Sequence, residues 1–335
     1  MKILIAGGAG FIGSTIASAC LDAGITPVIL DNLATGRAEF VADRIFYRGD
    51  IADGDLIGKI FADHPDIEAA VHAAALIVVP ESVEQPLRYY RENVAKSIEL
   101  IEHLIRAGCR KLLFSSSASI YRPGDDFAVD ETSPLEPLSP YARTKAVTET
   151  VLADAARAHD LRVISLRYFN PIGADPRMRT GLQLRHPTHV LGRMIIAAES
   201  GTTFTLTGAD WPTRDGSGVR DYIHVWDLAR AHVQALRRFD RVLPPDAPTR
   251  YRAVNVGTGT GVTVRELLAI FAEVTGRAIP TIEAGRRPGD SAGCFTRTDL
   301  VGELLDWCPT RSVADGIRDS LRWSALRDSI LERPP

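Results

Sequence analysis

The sequence predicts an α/β protein, a doubly wound parallel sheet with a second, smaller α/β domain. Three observations carry that expectation. Short apolar runs (KILIAG, TPVILD, IEAAVHAAA, KLLFSSS, LRVISLRYFN) alternate with longer stretches of helical spacing. The runs are apolar on successive residues, as strands covered by helices on both faces must be. The first run opens directly onto a glycine-rich turn and a helical stretch, the start of a βαβ unit.

Taken in order, KILIAG is the first strand, STIASACLDAG the first helix, TPVILD the second strand and RIFYRGD the third. IEAAVHAAA is the fourth strand. A long helix near 86–107 leads to KLLFSSS, a helix from 140 to 158 follows, and LRVISLRYFN closes the unit. Residues 1–169 therefore read as the doubly wound domain. Beyond Asn170 the alternation loosens into the loops ADPRMRTG and GADWPTRDGSG, so 170–218 and 257–335 read as the smaller domain. Within 219–256, VRDYIHVWDLARAHVQAL and RAVNVGTG return to strand and helix patterns and are expected to rejoin the first sheet.

Composition narrows the function. The 335 residues suffice for a sizeable core, and 45% hydrophobic residues, 24% charged residues and a net charge of −3 argue against a nucleic-acid partner. The longest apolar stretch, AAVHAAALIVV, is too short to cross a bilayer, and the N-terminus lacks the apolar length of a signal peptide. Four cysteines without C-x-x-C spacing fit neither a disulfide framework nor a zinc site. A soluble, cytoplasmic protein without a metal is the expectation.

ILIAGGAGFIG places Gly7, Gly10 and Gly13 between an apolar strand and a helix. Such a turn brings backbone N–H groups and the positive helix end against a pyrophosphate, where side chains would block the approach. Asp31 ends the second strand, where a carboxylate accepts hydrogen bonds from the adenosine ribose and repels a 2′-phosphate, which favours NAD over NADP. Asp50, after the third strand, would lie near the adenine.

SPYARTKA carries the chemistry. Ser139 is a plausible N-cap and Pro140 the first helical residue, so Tyr141 and Lys145 fall one turn apart on one face. The ammonium and the positive helix end favour phenolate, which suits a general base. LFSSSASIY ends the preceding strand at the sheet's carboxyl edge, where Ser117 can hydrogen-bond the oxygen whose proton Tyr141 takes.

With the glycine turn, Asp31, the serine run and Y-x-x-x-K in this order, the chain resembles the extended short-chain dehydrogenase/reductase family. ESVEQPLRYYRENV, FSSSASIY, SPYARTK, LRYFNPIGADP and DGSGVRDYIHVWDLA look like those members that epimerise UDP-hexoses at carbon 4. The resemblance implies a Rossmann domain, an NAD-dependent isomerase acting on UDP-glucose and UDP-galactose, and a homodimer built on the helices near 86–107 and 140–158. It assigns catalysis to Ser117, Tyr141 and Lys145. To NAD it assigns Gly7, Gly10, Phe11, Ile12, Gly13, Asp31, Asn32, Asp50, Ile51, Ala73, Ala74, Ala75, Asn93, Ser115, Tyr168 and Phe169, besides Tyr141 and Lys145. To the nucleotide sugar it assigns Ser119, Asn170, His189, Thr205, Arg220, Arg287, Asp290 and Cys294, besides Ser117 and Tyr141; His189 also reads as a helix-start residue and Arg220 as half of a surface ion pair.

Three positions depart from the family pattern. Ile77 stands where some relatives have lysine near the cofactor phosphates, and Arg122 stands where glycine is usual. Cys294 replaces the bulky tyrosine of relatives restricted to plain hexoses, so UDP-N-acetyl sugars are expected to fit as well. A 4,6-dehydratase or decarboxylase would need an acidic pair where this chain has SSA, and a non-catalytic NAD sensor would not need Ser117, Tyr141 and Lys145 together.

Overall fold

The computed structural model describes residues 1–287 and 289–331. The chain begins with β1 (Lys2–Ala6), α1 (Phe11–Asp22), β2 (Thr26–Asp31), β3 (Ile45–Arg48), α2 (Gly54–Asp63) and β4 (Ile67–His72). It continues through α3 (Val79–Glu84), α4 (Pro86–Tyr90), α5 (Lys96–Arg106), β5 (Lys111–Ser117), β6 (Ala128–Val129), α6 (Pro140–Ala158) and β7 (Arg162–Tyr168). Then come β8 (Asn170–Ile172), α7 (Val190–Ser200), β9 (Phe204–Thr207), β10 (Val219–His224), α8 (Val225–Arg237), α9 (Phe239–Val242) and β11 (Tyr251–Val256). The last elements are β12 (Gly261–Thr263), α10 (Val264–Thr275), β13 (Thr281–Ala284), β14 (Gly293–Thr296), α11 (Asp299–Leu305) and α12 (Val313–Leu331).

Seven parallel strands form one sheet in the order β11-β7-β5-β4-β1-β2-β3. The apolar runs of the inner strands are buried on both faces, as expected, while the edge strand β3 is only partly buried. One face packs on α1, α8 and α11 through Ile16, Leu228 and Val301; the other packs on α2, α5 and α6 through Ile57, Leu100 and Leu152. The strand order reverses at β1 and β4, and at that switch point the carboxyl ends diverge and leave a crevice.

A five-stranded sheet joins β12, β10, β14 and β6 with β8 beside β10, while β9 and β13 pair separately. The return to the large sheet is narrower than 219–256, because β10 belongs to the small sheet and the return begins with α8. Conversely α11, within 257–335, packs on the large sheet through Val301 and Leu305. Strand pairing across the two lobes lies beyond local hydrophobic pattern, which is why these boundaries shift. Among the described residues no helix is long and apolar enough to cross a membrane.

Candidate active site

The crevice is a cleft of about 940 Å³ between the carboxyl edge of the large sheet and the smaller lobe. Every predicted site residue except Ser115 lines it.

At the glycine turn, Gly7 adopts φ +83°, and a β-carbon there would meet Ala74 N at 2.5 Å. A β-carbon on Gly13 would meet Gly7 O at 2.1 Å, whereas one on Gly10 would meet only Gly7 O at 3.6 Å. Gly7 and Gly13 therefore let the turn close on itself, and Gly10 keeps its outer side open. Gly10 caps α1 without a side chain, and the first amide of the helix with a partner is Ser14, bonded to Gly10 O at 2.9 Å. The amides of Phe11, Ile12 and Gly13 have no partner among the described residues, and all three residues line the cleft. Orphaned donors at a positive helix end fit a dinucleotide pyrophosphate.

The Asp31 carboxylate is aimed by Ala9 N at 2.9 Å and Leu33 N at 2.8 Å. Burial raises its pKa above the ordinary value against these two donors. Asn32 reaches Asp50, and Lys96 holds Asp50 at 2.7 Å. Burial works against the charge on Asp50, but the Lys96 bond leaves its pKa lowered overall.

Asn93 sits on a π-turn, Arg91–Ala95, inserted between α4 and α5. Its amide bonds both backbone groups of Leu76, at 2.8 and 2.9 Å, and Thr144 at 3.1 Å, so it shapes the cleft wall at Leu76. Such turns recur at functional sites.

Helix α6 begins as predicted: Ser139 accepts from Ala142 N at 3.2 Å and Pro140 is the first helical residue. Tyr141 and Lys145 are buried in the cleft wall. The Lys145 ammonium donates to Ser115 O at 2.8 Å and lies 4.8 Å from the Phe114 ring centre. Burial pushes its pKa down to about 8, opposed by Glu149.

The phenol of Tyr141 departs from expectation. Burial raises its pKa, and the nearby Ser117 hydroxyl opposes the rise. The direction is opposite to the one expected from the helix end and the lysine, because desolvation is the larger effect in the chain by itself. Ser117 in turn bonds Ser119 through Ser119 N at 3.2 Å and the Ser119 hydroxyl at 2.9 Å. Ser115 turns the other way, its hydroxyl 3.2 Å from His232 Nε2, so it serves the site through its carbonyl and not as a wall residue.

The smaller lobe supplies the opposite wall, including Asn170 on β8 and Thr205 on β9. His189 caps α7, its Nδ1 accepting from Gly192 N at 3.2 Å. Arg220 is no surface ion pair: its guanidinium rests on the carbonyls of Val219, Ala292 and Ser291. Arg287 pairs with Asp290 at 2.9 Å. Cys294 Sγ lies 3.9 Å from Ala118 O, on the Ser117 side of the cleft. Ile77 is exposed at the rim, and Arg122 pairs with Glu136 at 3.3 Å.

Sequence reasoning missed Thr207 and Trp211, which also line the cleft, with Arg286 stacked 3.8 Å from the Trp211 ring centre. Thr207 follows Thr205 with period two on the same strand and was legible in principle. Trp211 sits in an irregular loop whose position no periodicity reports.

An open α/β sheet with a phosphate turn and a Ser-Tyr-Lys group in one crevice defines a dinucleotide-dependent enzyme of the short-chain dehydrogenase/reductase class. The chain belongs to the NAD dependent epimerase/dehydratase family, which matches residues 3–257. The UDP-glucose 4-epimerase of Azospirillum brasilense is 40% identical over 98% of this chain and 94% of its own length. A UDP-glucose-4-epimerase from Stenotrophomonas maltophila, solved with NAD and formylated UDP-arabinopyranose, is 37% identical with a TM-score of 0.91, covering 98% and 99% of the two chains. The UDP-Glc/GlcNAc 4-epimerase of Campylobacter jejuni is 33% identical with a TM-score of 0.79, covering 97% and 99%.

Proposed function

We propose that this chain interconverts UDP-glucose and UDP-galactose at carbon 4. The observation that carries the reading is the placement of Ser117, Tyr141 and Lys145 in the same cleft as the glycine turn and Asp31. Tyr141 takes the proton of the sugar 4-hydroxyl, with Ser117 hydrogen-bonding that oxygen, as a transient 4-keto sugar forms. The proton returns after the ketone has turned its other face to the site, which inverts carbon 4. NAD, when bound, supplies the hydride acceptor and donor for carbon 4, adds a positive charge to the cleft while oxidised, and is regenerated. The open amides of Phe11, Ile12 and Gly13 would hold its pyrophosphate and Asp31 its ribose. Arg220 and Arg287 suit the diphosphate of the sugar nucleotide.

The small Cys294 side chain supports acceptance of N-acetylated UDP-hexoses, in line with the Campylobacter jejuni relative, a UDP-Glc/GlcNAc 4-epimerase. Ala118 and Ser119, beside Ser117, offer no carboxyl for dehydration or decarboxylation, which favours the epimerase reading.

The partly exposed Ile98 on α5 and Val147 on α6 support a homodimer through these helices, and a monomer in sedimentation at micromolar concentration would remove it. Free cysteines suit a reducing cytoplasm. The deciding experiment for the activity incubates the purified protein with UDP-galactose, without added NAD, and resolves the products. Formation of UDP-glucose that is lost in Tyr141→Phe supports the reading; no conversion even with added NAD overturns it.

A further inference from the structure

Glu149 lies one turn beyond Lys145 and two beyond Tyr141 on α6, and it is buried. Its carboxylate accepts from Arg167 Nε at 3.0 and 3.1 Å and from Arg167 Nη2 at 2.6 Å, and the Ser116 hydroxyl donates to it. Arg167 also donates to the Tyr121 hydroxyl at 2.8 Å, which donates to Asn255 Oδ1 at 2.7 Å. One connected polar group thus ties α6 to β5, β7 and β11 directly beneath the reacting residues.

A buried ion pair is weak evidence for stability, because desolvation of both charges offsets their attraction. Position is the informative property here. Ser116 stands between Ser115, whose carbonyl holds the Lys145 ammonium, and Ser117, whose hydroxyl lies near enough to Tyr141 to act on its pKa. Successive side chains on a strand face opposite ways, so Ser115 turns to His232 on α8 while Ser116 turns to Glu149 on α6. The Glu149–Ser116 bond therefore pins the strand end that carries the hydroxyl and the carbonyl to the helix that carries the phenol and the ammonium.

We propose that Glu149 is a positioning residue: through Ser116 and Arg167 it fixes the register of α6 against the end of β5, and so the geometry of Ser117, Tyr141 and Lys145. The inference rests on the acid/base reading of Tyr141. The titratable groups around the Tyr141–Lys145 pair are Glu149 on the same helix, His72 on β4 and Tyr168 on β7, while Arg167 on β7 faces Glu149. Glu149 is the carboxylate among them, and it supports the Lys145 cation.

The test compares the NAD-loaded native protein with Ser116→Ala, Glu149→Gln and the double variant Glu149→Gln/Arg167→Met, which removes the cation that Glu149→Gln leaves unpaired. Misplacement of the reacting groups should lower kcat about tenfold or more with KM within about twofold in all three. In Glu149→Gln the alkaline limb of the pH profile should also move to lower pH, because a cation that loses a neighbouring anion sheds its proton earlier. The double variant should recover the native melting temperature but not kcat. Recovery of both, or native kcat in Ser116→Ala, would show a role in stability alone and overturn the proposal.

Should the native protein turn over no UDP-hexose, the epimerase reading fails and the positioning claim is read without turnover. Tyrosinate absorbance, taken as the difference from a Tyr141→Phe counterpart, should titrate at higher pH in Ser116→Ala, since a displaced Ser117 no longer favours phenolate. An unchanged titration would overturn the proposal independently.

Discussion

The ammonium of Lys145 rests 2.8 Å from the carbonyl oxygen of Ser115, two residues before Ser117. The cation is held by the strand and not by its own helix, so the chemistry depends on how β5 and α6 meet. On the proposed reading Tyr141 and Ser117 face the sugar, with Lys145 one helical turn behind Tyr141.

Replacing Tyr141 by Phe removes the hydroxyl and keeps the ring. The expected outcome is a loss of about 10²- to 10⁴-fold in kcat, the usual contribution of a general acid/base group. Melting temperature and retained NAD should stay close to native. Product formation from UDP-galactose and the absorbance of bound nucleotide check both halves.

Burial sets the Lys145 pKa at about 8. On the reading that the site needs the cation, kcat should fall as pH rises through about 8. Lys145→Arg, which stays charged across this range, should have a lower rate but lose that alkaline limb. A pH–rate series on both proteins tests it.

The two glycines of the turn should separate folding from binding. Gly13→Ala forces a β-carbon to within 2.1 Å of the Gly7 carbonyl oxygen, so melting temperature and bound NAD should both drop. Gly10→Ala has room on the protein side and keeps an ordinary extended φ of −80°, so stability should hold while NAD is lost. Equal loss of stability in both variants would contradict this account of the turn.

Burial lowers the pKa of His72 to about 3 and of His232 to about 4. These are depressed from the unfolded value near 6.5, so the unfolded chain takes up protons that the folded chain refuses. Stability is therefore full above pH 6.5 and falls as pH drops toward 4, at up to about 1.4 kcal/mol per pH unit for each histidine. His232→Gln should flatten that slope by one proton in denaturant unfolding measured across this window.

Cys294→Tyr should leave conversion of the plain UDP-hexoses within a few-fold and reduce kcat/KM for UDP-N-acetylglucosamine by about tenfold or more, since a filled pocket rejects added bulk. Parallel assays of the two sugars decide. If both variant and native ignore the N-acetyl sugar, the pocket argument around Cys294 and Ala118 fails.

Local chemistry was legible wherever it follows from residues near in sequence. The Gly7–Gly13 turn, Asp31 at the end of β2, the Ser139 cap, and Tyr141 one turn before Lys145 are all relations of short range, set by strand and helix geometry. The strands of the large sheet were readable because burial on both faces forces continuous apolar runs. Ser115 shows the limit of such reading: its neighbours in the serine run point at the site or at α6, while its own hydroxyl faces α8.

The sequence by itself thus determined a doubly wound sheet, a dinucleotide turn and a Tyr/Lys helix, because each rests on backbone period, capping and glycine sterics within one or two elements. Tertiary structure alone decided that β10 pairs with the small sheet, that Arg220 rests on the carbonyls of 291 and 292, and that Glu149 reaches Ser116 and Arg167. It also decided the burial of Tyr141, a sum over segments distant in the chain, which pushes its pKa upward.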